Sequence, residues 1–584
     1  MTPGGDRPAG AGGVTAPAAM DALLAAAEPT DSRRLGELIE RLEATGRLRT
    51  VRPVEAGFGT EAGGTRREPG IGALQIRGIG FDSRHVLPGS VFVAVPGGRV
   101  DGHDYVAVAA ALGAAAVIVE RPIPGAALPQ IVVDDARRSL ATVAAWWYGD
   151  PSRELGIVGI TGTDGKTTTS FLATAVLEAA GISTGLITTA AAKIGPLRMA
   201  NPEHVTTPEA PQLQRMLRAM ATAGNEAAIV ETTSHGLALQ RVAEIRYDIA
   251  IFTNLTHEHL ELHGTFEAYR DAKLSLFRGL GGTGTGVAGA GVAGAGGNSV
   301  AAAKQLSRPW PRVAIVNADD PAAALFVAAA RESGARVVTY GEAASADVRA
   351  TAVVEGPREM RIDVATPRWA GQVLLQLAGR FNVHNALAAV ALGEVLELDP
   401  DRIRAGLASV KGVPGRMERV DCGQPFAVIV DYAHSPASLE KVLDILKPMA
   451  TAGGGGLIAV FGSAGERDVQ KRPMMGRLAG ERCRLVIVAD EDPRGEDRQK
   501  ILDEIAAGAE AVGKIRGRDV LCIADRSEAI EAAFAGAQPG DVVLLAGKGH
   551  EQTIIMADRS IAWDERTEAI RALGRKGYDA CDPA

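Results

Sequence analysis

The stretch "GITGTDGKTTTS" at 159–170 sets two glycines ahead of a lysine and a run of hydroxyls. Gly162 and Gly165 let backbone N–H groups close on phosphate oxygens, and a helix starting at Lys166 adds a favourable dipole. Lys166 is placed to reach β- and γ-phosphates, and the Thr167 hydroxyl to sit on Mg²⁺. Thr163, Asp164 and Thr168 complete the loop. The full pattern G-x-x-x-x-G-K-[ST] asks for glycine at 160, where Ile160 stands, so the compact form G-T-x-G-K-T is what remains. A plain glycine-rich turn is the bland alternative; Gly-Lys-Thr between an apolar run and a helical stretch favours a nucleotide. Downstream, "ETTSH" supplies Glu231, Ser234 and His235, and "NLTHEHLELH" packs Asn254, His257, Glu258, His259, Glu261 and His263 into 254–263. A cation bridging ATP phosphates wants oxygen ligands with a few others in support. H-x-H-x-x-x-H alone would suit zinc, but no cysteine or carboxylate set matches it, and magnesium fits a phosphate loop better. His257 reads as a surface residue, and Lys273 by itself as a lysine on an amphipathic helix.

A second polar stretch, "ADEDPRGED" at 489–497, surrounds Arg494 with Asp490, Glu491, Asp492, Glu496 and Asp497. Two readings stand at this point. It is a solvated acidic loop, or a place where one arginine reads one anionic group.

These residues need elements to hold them. Apolar runs such as "ELGIVGIT", "NEAAIVET", "YDIAIFTN", "FAVIVDYA", "CRLVIVAD" and "GDVVLLAG" are bounded by turn signals and followed by amphipathic stretches. Buried strands alternating with helices predict parallel α/β sheets. The chemistry-bearing stretches begin where the runs end, at the carboxyl ends of strands, where such sheets bind ligands. A chain of 584 residues predicts roughly three or four domains. A net charge of −8 argues against a nucleic-acid partner. No apolar run reaches the roughly 18–20 residues that span a bilayer, so no membrane insertion is expected. The N-terminus lacks the pattern of a signal peptide. Cys422, Cys483, Cys522 and Cys581 show no C-x-x-C spacing and read as reduced thiols of a cytoplasmic protein. Residues 1–31 are rich in Gly, Ala and Pro and predict a disordered tail. Stretches 52–72 and 279–304 read as flexible insertions.

Eight ordered segments, "GTDGKTT", "ETTSH", "TNLTHEHLELHG…YRDAK", "RFNVHNALAA", "GRMERV", "DYAHSP", "FGSAGERDVQKRPMMG" and "GKGHEQTI", together resemble the Mur ligase family. "FDSRHVLPGSVFVAVPGGRVDGHDY" at 81–105 resembles the N-terminal domain of the branch that adds the third residue of the peptidoglycan stem peptide. The resemblance implies three domains: an N-terminal α/β domain for the uridine nucleotide (32–153), a central P-loop-type ATP-binding domain with a parallel sheet (154–414), and a C-terminal Rossmann-like domain (415–584) for the incoming amino acid. It implies ATP-dependent activation of the D-glutamate carboxylate of UDP-MurNAc-L-Ala-D-Glu as an acyl phosphate, then attack by a diamino acid. Positioning and charge neutralisation would carry the catalysis. It implies ATP as co-substrate, Mg²⁺ as cofactor, small-molecule substrates as the partners and a monomer.

Position by position, Lys166 and Thr167 match the phosphate and Mg²⁺ groups, Glu231 and His259 the further metal ligands, and Lys273 a lysine that the family carbamylates into a carboxylate-like ligand. Asn382 and Asn385 match adenine contacts, and Arg416 and Asp431 γ-phosphate and ribose contacts. Ser83 and the segment 98–100 match uridine-nucleotide contacts. Thr206, Thr207, Thr233 and Arg241 match those holding the muramoyl dipeptide. Arg467, Glu491, Asp492, Pro493, Arg494, Gly547 and Glu551 match the diamino-acid pocket. Some positions depart from the family pattern: Asp164 replaces asparagine, Thr233 serine, Glu258 and Glu261 aspartates, and Leu239 a glutamine, with Gln240 adjacent. The family's D-N-P-R motif, whose arginine pairs with the far carboxylate of meso-diaminopimelate, reads Glu491-Asp492-Pro493-Arg494 here. Arg494 favours meso-diaminopimelate, and the acid at 492 leaves L-lysine and L-ornithine open. Another amide ligase of the same mechanism, or a silent nucleotide-binding relative, are the rival readings.

Overall fold

The apolar runs become buried parallel strands because helices cover both faces of their sheets. The computed structural model describes residues 16–54, 70–97, 100–201, 205–256, 260–280, 309–356 and 359–581. The proposed insertions therefore fall largely outside the described residues, as do His257, Glu258 and His259. The chain divides into two compact units, Met1–Thr351 with Val364–Gly371 and His384–Gly406, and Ala352–Asp363 with Gln372–Val383 and Leu407–Ala584.

The first unit carries two large sheets, beside the short antiparallel pair Arg33–Arg34 and Gln75–Ile76. A five-stranded one runs in the order Leu48–Arg52, Gln130–Val133, Ala116–Val119, Ser90–Val93, Gly78–Gly80, parallel except at Leu48–Arg52. The other has a parallel block ordered Thr184–Ile187, Ala227–Glu231, Gly156–Thr161, Ile249–Phe252, Val313–Asn317, Arg336–Gly341, with the antiparallel hairpin Ala191–Ile194 and Leu197–Ala200 on the Thr184–Ile187 side. Strand Gly156–Thr161 lies between two parallel neighbours, and Ile157, Val158 and Ile160 are fully buried. Its end, the phosphate loop, thus opens between two other strand ends. Within this unit Arg41 donates to both carboxylate oxygens of Asp150, at 2.8 and 2.7 Å, and to Glu244 at 3.2 Å, while Arg47 pairs with Glu244 at 2.7 Å.

Residues 16–31 correct the expected tail. Ala16–Ala26 is a helix, and Met20 and Ala27 are buried in the same core as Leu213, Met216 and Ile194. The low-complexity composition concealed a few apolar side chains that find a surface to cover, and Glu28 accepts from the Tyr148 hydroxyl at 3.1 Å.

The second unit is a doubly wound sheet ordered Glu418–Val420, Ala427–Asp431, Val542–Ala546, Leu457–Phe461, Leu485–Val488, Val520–Cys522, parallel except at Glu418–Val420. Helices Pro436–Ala452, Lys471–Arg482 and Arg498–Glu510 pack on one face, and Arg526–Gly536 and Glu565–Arg575 on the other. The expectation of four reduced thiols is corrected here: Cys422 and Cys581, 159 residues apart, form a disulfide. Spacing along the chain says nothing about a pair brought together only by folding. Cys483 is buried, which pushes its thiol up to about 12.

Arg526 is fully buried and binds Glu565 through Nε at 2.9 Å and Nη2 at 2.7 Å. It also donates to the Asp490 carbonyl at 3.1 Å and the Ala546 carbonyl at 2.7 Å. One guanidinium thus ties together the two strand ends from which the stretches 489–497 and 547–551 emerge. Glu565→Ala leaves that charge buried without its carboxylate and is expected to cost about 3–5 kcal/mol. The check is the urea midpoint of the second unit, and an unchanged midpoint would show the pair to be dispensable.

Candidate active site

The phosphate loop is held by the neighbouring strand end. Thr253 Oγ1 donates to the Asp164 carbonyl at 2.7 Å, Asn254 Oδ1 accepts from the Asp164 N–H at 2.8 Å, and the Asn254 carbonyl accepts from the Thr163 N–H at 2.8 Å. Asp164 is exposed and is gripped through its backbone, so replacing asparagine there leaves these supports intact. Gly162 and Gly165 both have positive φ, 151° and 80°. A Cβ at 162 would lie 1.9 Å from Thr253 Oγ1, and one at 165 would lie 2.4 Å from Asn385 Oδ1. Only glycine fits at either position, and its absent Cβ is what lets the loop lie this close to Thr253 and Asn385. Lys166 Nζ donates to the Thr163 carbonyl at 2.7 Å, folded back over the loop it opens. Lys273 is buried, donates to the Gly162 carbonyl at 2.6 Å and lies over the Tyr269 ring. The Tyr269 hydroxyl in turn meets Thr163 Oγ1 at 2.9 Å. A lysine that looked like a solvated helix residue therefore forms the inner wall of the loop.

Glu231 gathers the rest. It is 1% exposed, and its Oε2 accepts from Thr167 Oγ1 at 3.0 Å and the Thr189 N–H at 3.1 Å. The Thr189 hydroxyl reaches Thr206 Oγ1 at 2.8 Å. Thr207 Oγ1 donates to the Glu231 carbonyl at 3.0 Å and lies 3.0 Å from Thr233 Oγ1, while Arg241 donates to the Thr207 carbonyl at 2.9 Å and pairs with Glu209 at 2.7 Å. The predicted phosphate, metal and dipeptide residues Thr167, Glu231, Thr206, Thr207, Thr233 and Arg241 are brought together. Thr189 was missed; its signal was "TT" directly after strand Thr184–Ile187. Asn385 accepts from Thr169 Oγ1 at 3.1 Å, behind the loop. Ser83 opens a short turn after strand Gly78–Gly80, on the five-stranded sheet, and of the segment 98–100 only Val100 is among the described residues. Among the described residues no three His, Cys, Asp or Glu side chains cluster as a metal cage. Thr167 and Glu231 are instead paired oxygen donors beside a phosphate loop, a set that suits a hard cation completed by phosphate oxygens.

The second unit holds Asn382, Arg416, Asp431 and the amino-acid residues. Asn382 donates to the Ala378 carbonyl at 2.7 Å. Asp431 ends strand Ala427–Asp431 and accepts from the Met417 and Ala433 N–H groups, both at 2.8 Å; burial pushes its carboxyl up, against the pull of Arg416. Arg416 lies over the Tyr432 ring. In the stretch 489–497 most acids are already matched. Asp490 pairs with Arg498, Asp492 with Lys548, Glu496 with the fully buried Arg472, and Asp497 caps helix Arg498–Glu510. Glu491 Oε2 and Arg494 Nε are buried without a hydrogen-bond partner. Asp492, Pro493 and Arg494 lie against the segment that carries Ile555: the Ile555 N–H donates to Asp492 Oδ1 and the Arg494 N–H to the Ile555 carbonyl, each at 2.9 Å. Gly547 and Glu551 follow strand Val542–Ala546, and Glu551 accepts from Lys548 at 2.5 Å and Tyr432 at 3.2 Å. Arg467 is exposed on the loop 462–467, whose Gly465 N–H donates to the Asp492 carbonyl at 2.8 Å. Lys548 was missed although "GKGHE" holds its near partner Glu551, because its other partner, Asp492, lies 56 residues away.

Comparison with known proteins gives three family matches: the Mur ligase family catalytic domain over 75–148, the Mur ligase middle domain over 160–293 and 298–393, and the Mur ligase glutamate ligase domain over 415–549. A UDP-N-acetylmuramyl-tripeptide synthetase of Roseiflexus sp. (strain RS-1) is 49% identical, over 86% of this chain and 96% of its own. A UDP-N-acetylmuramoyl-L-alanyl-D-glutamate--2,6-diaminopimelate ligase of Bacillus licheniformis is 39% identical over 85% and 94%. A solved structure described as the latter ligase superposes with a TM-score of 0.58 at 28% identity, covering 88% of this chain and 97% of its own. Folylpolyglutamate synthase of Mycobacterium tuberculosis, at 17% identity and a TM-score of 0.51, shares the fold.

The Arg472 guanidinium holds the Glu496 carboxyl down to about 2. A carboxyl depressed on folding stabilises the protein above its ordinary value, 4.5, and that stability fades as pH falls through the window toward 2. Acid titration of the second unit should show this limb, and Arg472→Leu should flatten it; an identical limb in the variant would assign it to other groups.

Proposed function

Because the chain belongs to the Mur ligase family, we propose that it joins a diamino acid to UDP-MurNAc-L-Ala-D-Glu with consumption of ATP. One observation carries this reading. Thr167 of the phosphate loop and, through Thr189, Thr206 of the dipeptide set meet on one carboxylate, Glu231. A γ-phosphate and an acceptor carboxylate held by these two groups would be neighbours. The carboxylate oxygen attacks the γ-phosphorus, ADP leaves, and an acyl phosphate results. The diamino-acid nitrogen then attacks the carbonyl carbon, the C–O bond to phosphate breaks, and the amide forms with loss of a proton. The protein contributes alignment and charge neutralisation. Lys166 swings from the Thr163 carbonyl to the phosphates, and the N–H groups at the start of helix Lys166–Ala179 face them, those of Thr163 and Asp164 being held by Asn254. Thr167 and Glu231, with His259 and a carbamylated Lys273, would hold Mg²⁺, which would neutralise phosphate charge. Asn382, Asn385, Arg416 and Asp431 take the nucleotide, Ser83 the uridine portion, and Thr206, Thr207, Thr233 and Arg241 the dipeptide. A monomer with boundaries at 153/154 and 414/415 belongs to the same reading. No helix among the described residues is long and apolar enough to cross a membrane.

For the amino acid, meso-diaminopimelate is favoured. Its far end carries an ammonium and a carboxylate, and the loop offers a buried carboxylate oxygen on Glu491 and a buried guanidinium nitrogen on Arg494, both unpartnered. Asp492, the residue that left lysine and ornithine open, is already bound by Lys548 and the Ile555 N–H.

Phosphate release from ATP, with UDP-MurNAc-L-Ala-D-Glu and meso-diaminopimelate, L-lysine or L-ornithine, tests the reaction. Turnover is expected to be fastest with meso-diaminopimelate, and folded protein silent with every acceptor would sink the enzyme reading. Arg494→Ala should lower kcat/KM for meso-diaminopimelate about 100-fold and barely move any residual lysine use. Equal losses would mean that Arg494 does not read the far carboxylate. Lys273→Ala and Glu231→Gln should each lower kcat by at least about 100-fold; full activity in either would remove that residue from the metal site.

A further inference from the structure

Lys548 is fully buried, with Nζ 2.9 Å from Asp492 Oδ1 and 2.5 Å from Glu551 Oε2. The same Asp492 oxygen accepts from the Ile555 N–H at 2.9 Å, and the Asp492 carbonyl accepts from the Gly465 N–H at 2.8 Å. One ammonium therefore joins the stretch that bears Arg494 to the stretch that bears Gly547 and Glu551. Its charge also matters. Glu491, Asp492 and Glu551 put three acids in one cluster with Arg494 and Lys548, while Arg467 is exposed on the neighbouring loop. Asp492 is two residues from Arg494. Without the lysine it would be a buried, uncompensated anion that draws the guanidinium toward itself and repels a carboxylate ligand.

We propose that Lys548 is a positioning residue for the diamino acid: by cancelling the acid at 492 it leaves Arg494 free to pair with the substrate's far carboxylate. The proposal rests on the diaminopimelate reading above. It accounts for how this chain carries aspartate where the resembling motif has asparagine and still reads an anion. A purely structural staple would make a different prediction, because it would be needed whichever residue stood at 492.

The test is a double-mutant cycle on the full-length enzyme: wild type, Lys548→Met, Asp492→Asn and the double variant, with KM and kcat for meso-diaminopimelate and L-lysine and KM for ATP. Lys548→Met should raise KM for meso-diaminopimelate at least about ten-fold and shift preference toward lysine, whose far end is a lone ammonium. KM for ATP should stay within about two-fold, since Lys548 bonds to none of the residues assigned to the nucleotide. With asparagine at 492, the same lysine change should cost no more than about three-fold, since the coupling is then gone. An equal loss in both backgrounds, or parallel rises in KM for ATP and for meso-diaminopimelate, would overturn the proposal. If Lys548→Met fails to fold, Lys548→Gln, uncharged and still able to donate, supports the same comparison. Wild-type enzyme that uses lysine but not meso-diaminopimelate overturns the substrate reading before any variant is compared, so the two failures are distinct.

Discussion

A carboxylate buried at the end of a strand persists only if hydrogen-bond donors converge on it. Glu231 draws the Thr167 hydroxyl and the Thr189 N–H; Asp431 draws two backbone N–H groups; Asp492 draws Lys548 and the Ile555 N–H. In each case at least one donor comes from another segment than the carboxylate. Satisfying the charge and assembling the site are therefore one event, and the parallel sheets supply the geometry by ending several strands at one edge.

The two units solve different electrostatic problems with this device. Around Glu231 the donors are neutral hydroxyls and amides, which leave the carboxylate its negative charge for a cation. In the 489–497 loop most of the donors are cations, so the acidic stretch is largely neutralised within the fold. Arg472, Arg498 and Lys548 each take one acid, Asp497 caps a helix, and Glu491 and Arg494 keep an unpartnered buried atom apiece. A segment that composition alone describes as a solvated acidic run is largely a set of ion pairs around two buried, unpartnered atoms.

Where residue type dictates backbone form, the sequence was informative. The apolar runs mark the strands, Gly-Thr-Asp-Gly-Lys-Thr marks a turn that only glycine can make, and strand ends mark the site. The family pattern singles out Thr206, Thr207 and Thr233, and the fold links them to Glu231: Thr207 bonds its carbonyl and meets Thr233, and Thr206 reaches its side chain through Thr189. What escaped was whatever depends on contacts distant in sequence. Thr189 carries no local signal of Glu231, and Lys548 none of Asp492, 56 residues away. The Cys422–Cys581 bond joins positions 159 residues apart, and helix Ala16–Ala26 hides its few core residues in a low-complexity stretch. Lys273 misled in the other direction, because helical periodicity cannot show that a lysine points inward at a carbonyl.

Arg494 has φ of 53°, a left-handed conformation that costs a side chain such as arginine about 1 kcal/mol or more. Glycine or asparagine would relax that backbone. Random drift at this position is thus biased by backbone stability toward residues with no positive charge. On the proposed reading of Arg494, recognition of a carboxylate is held in place against a standing thermodynamic slope, so only selection on the product keeps it there.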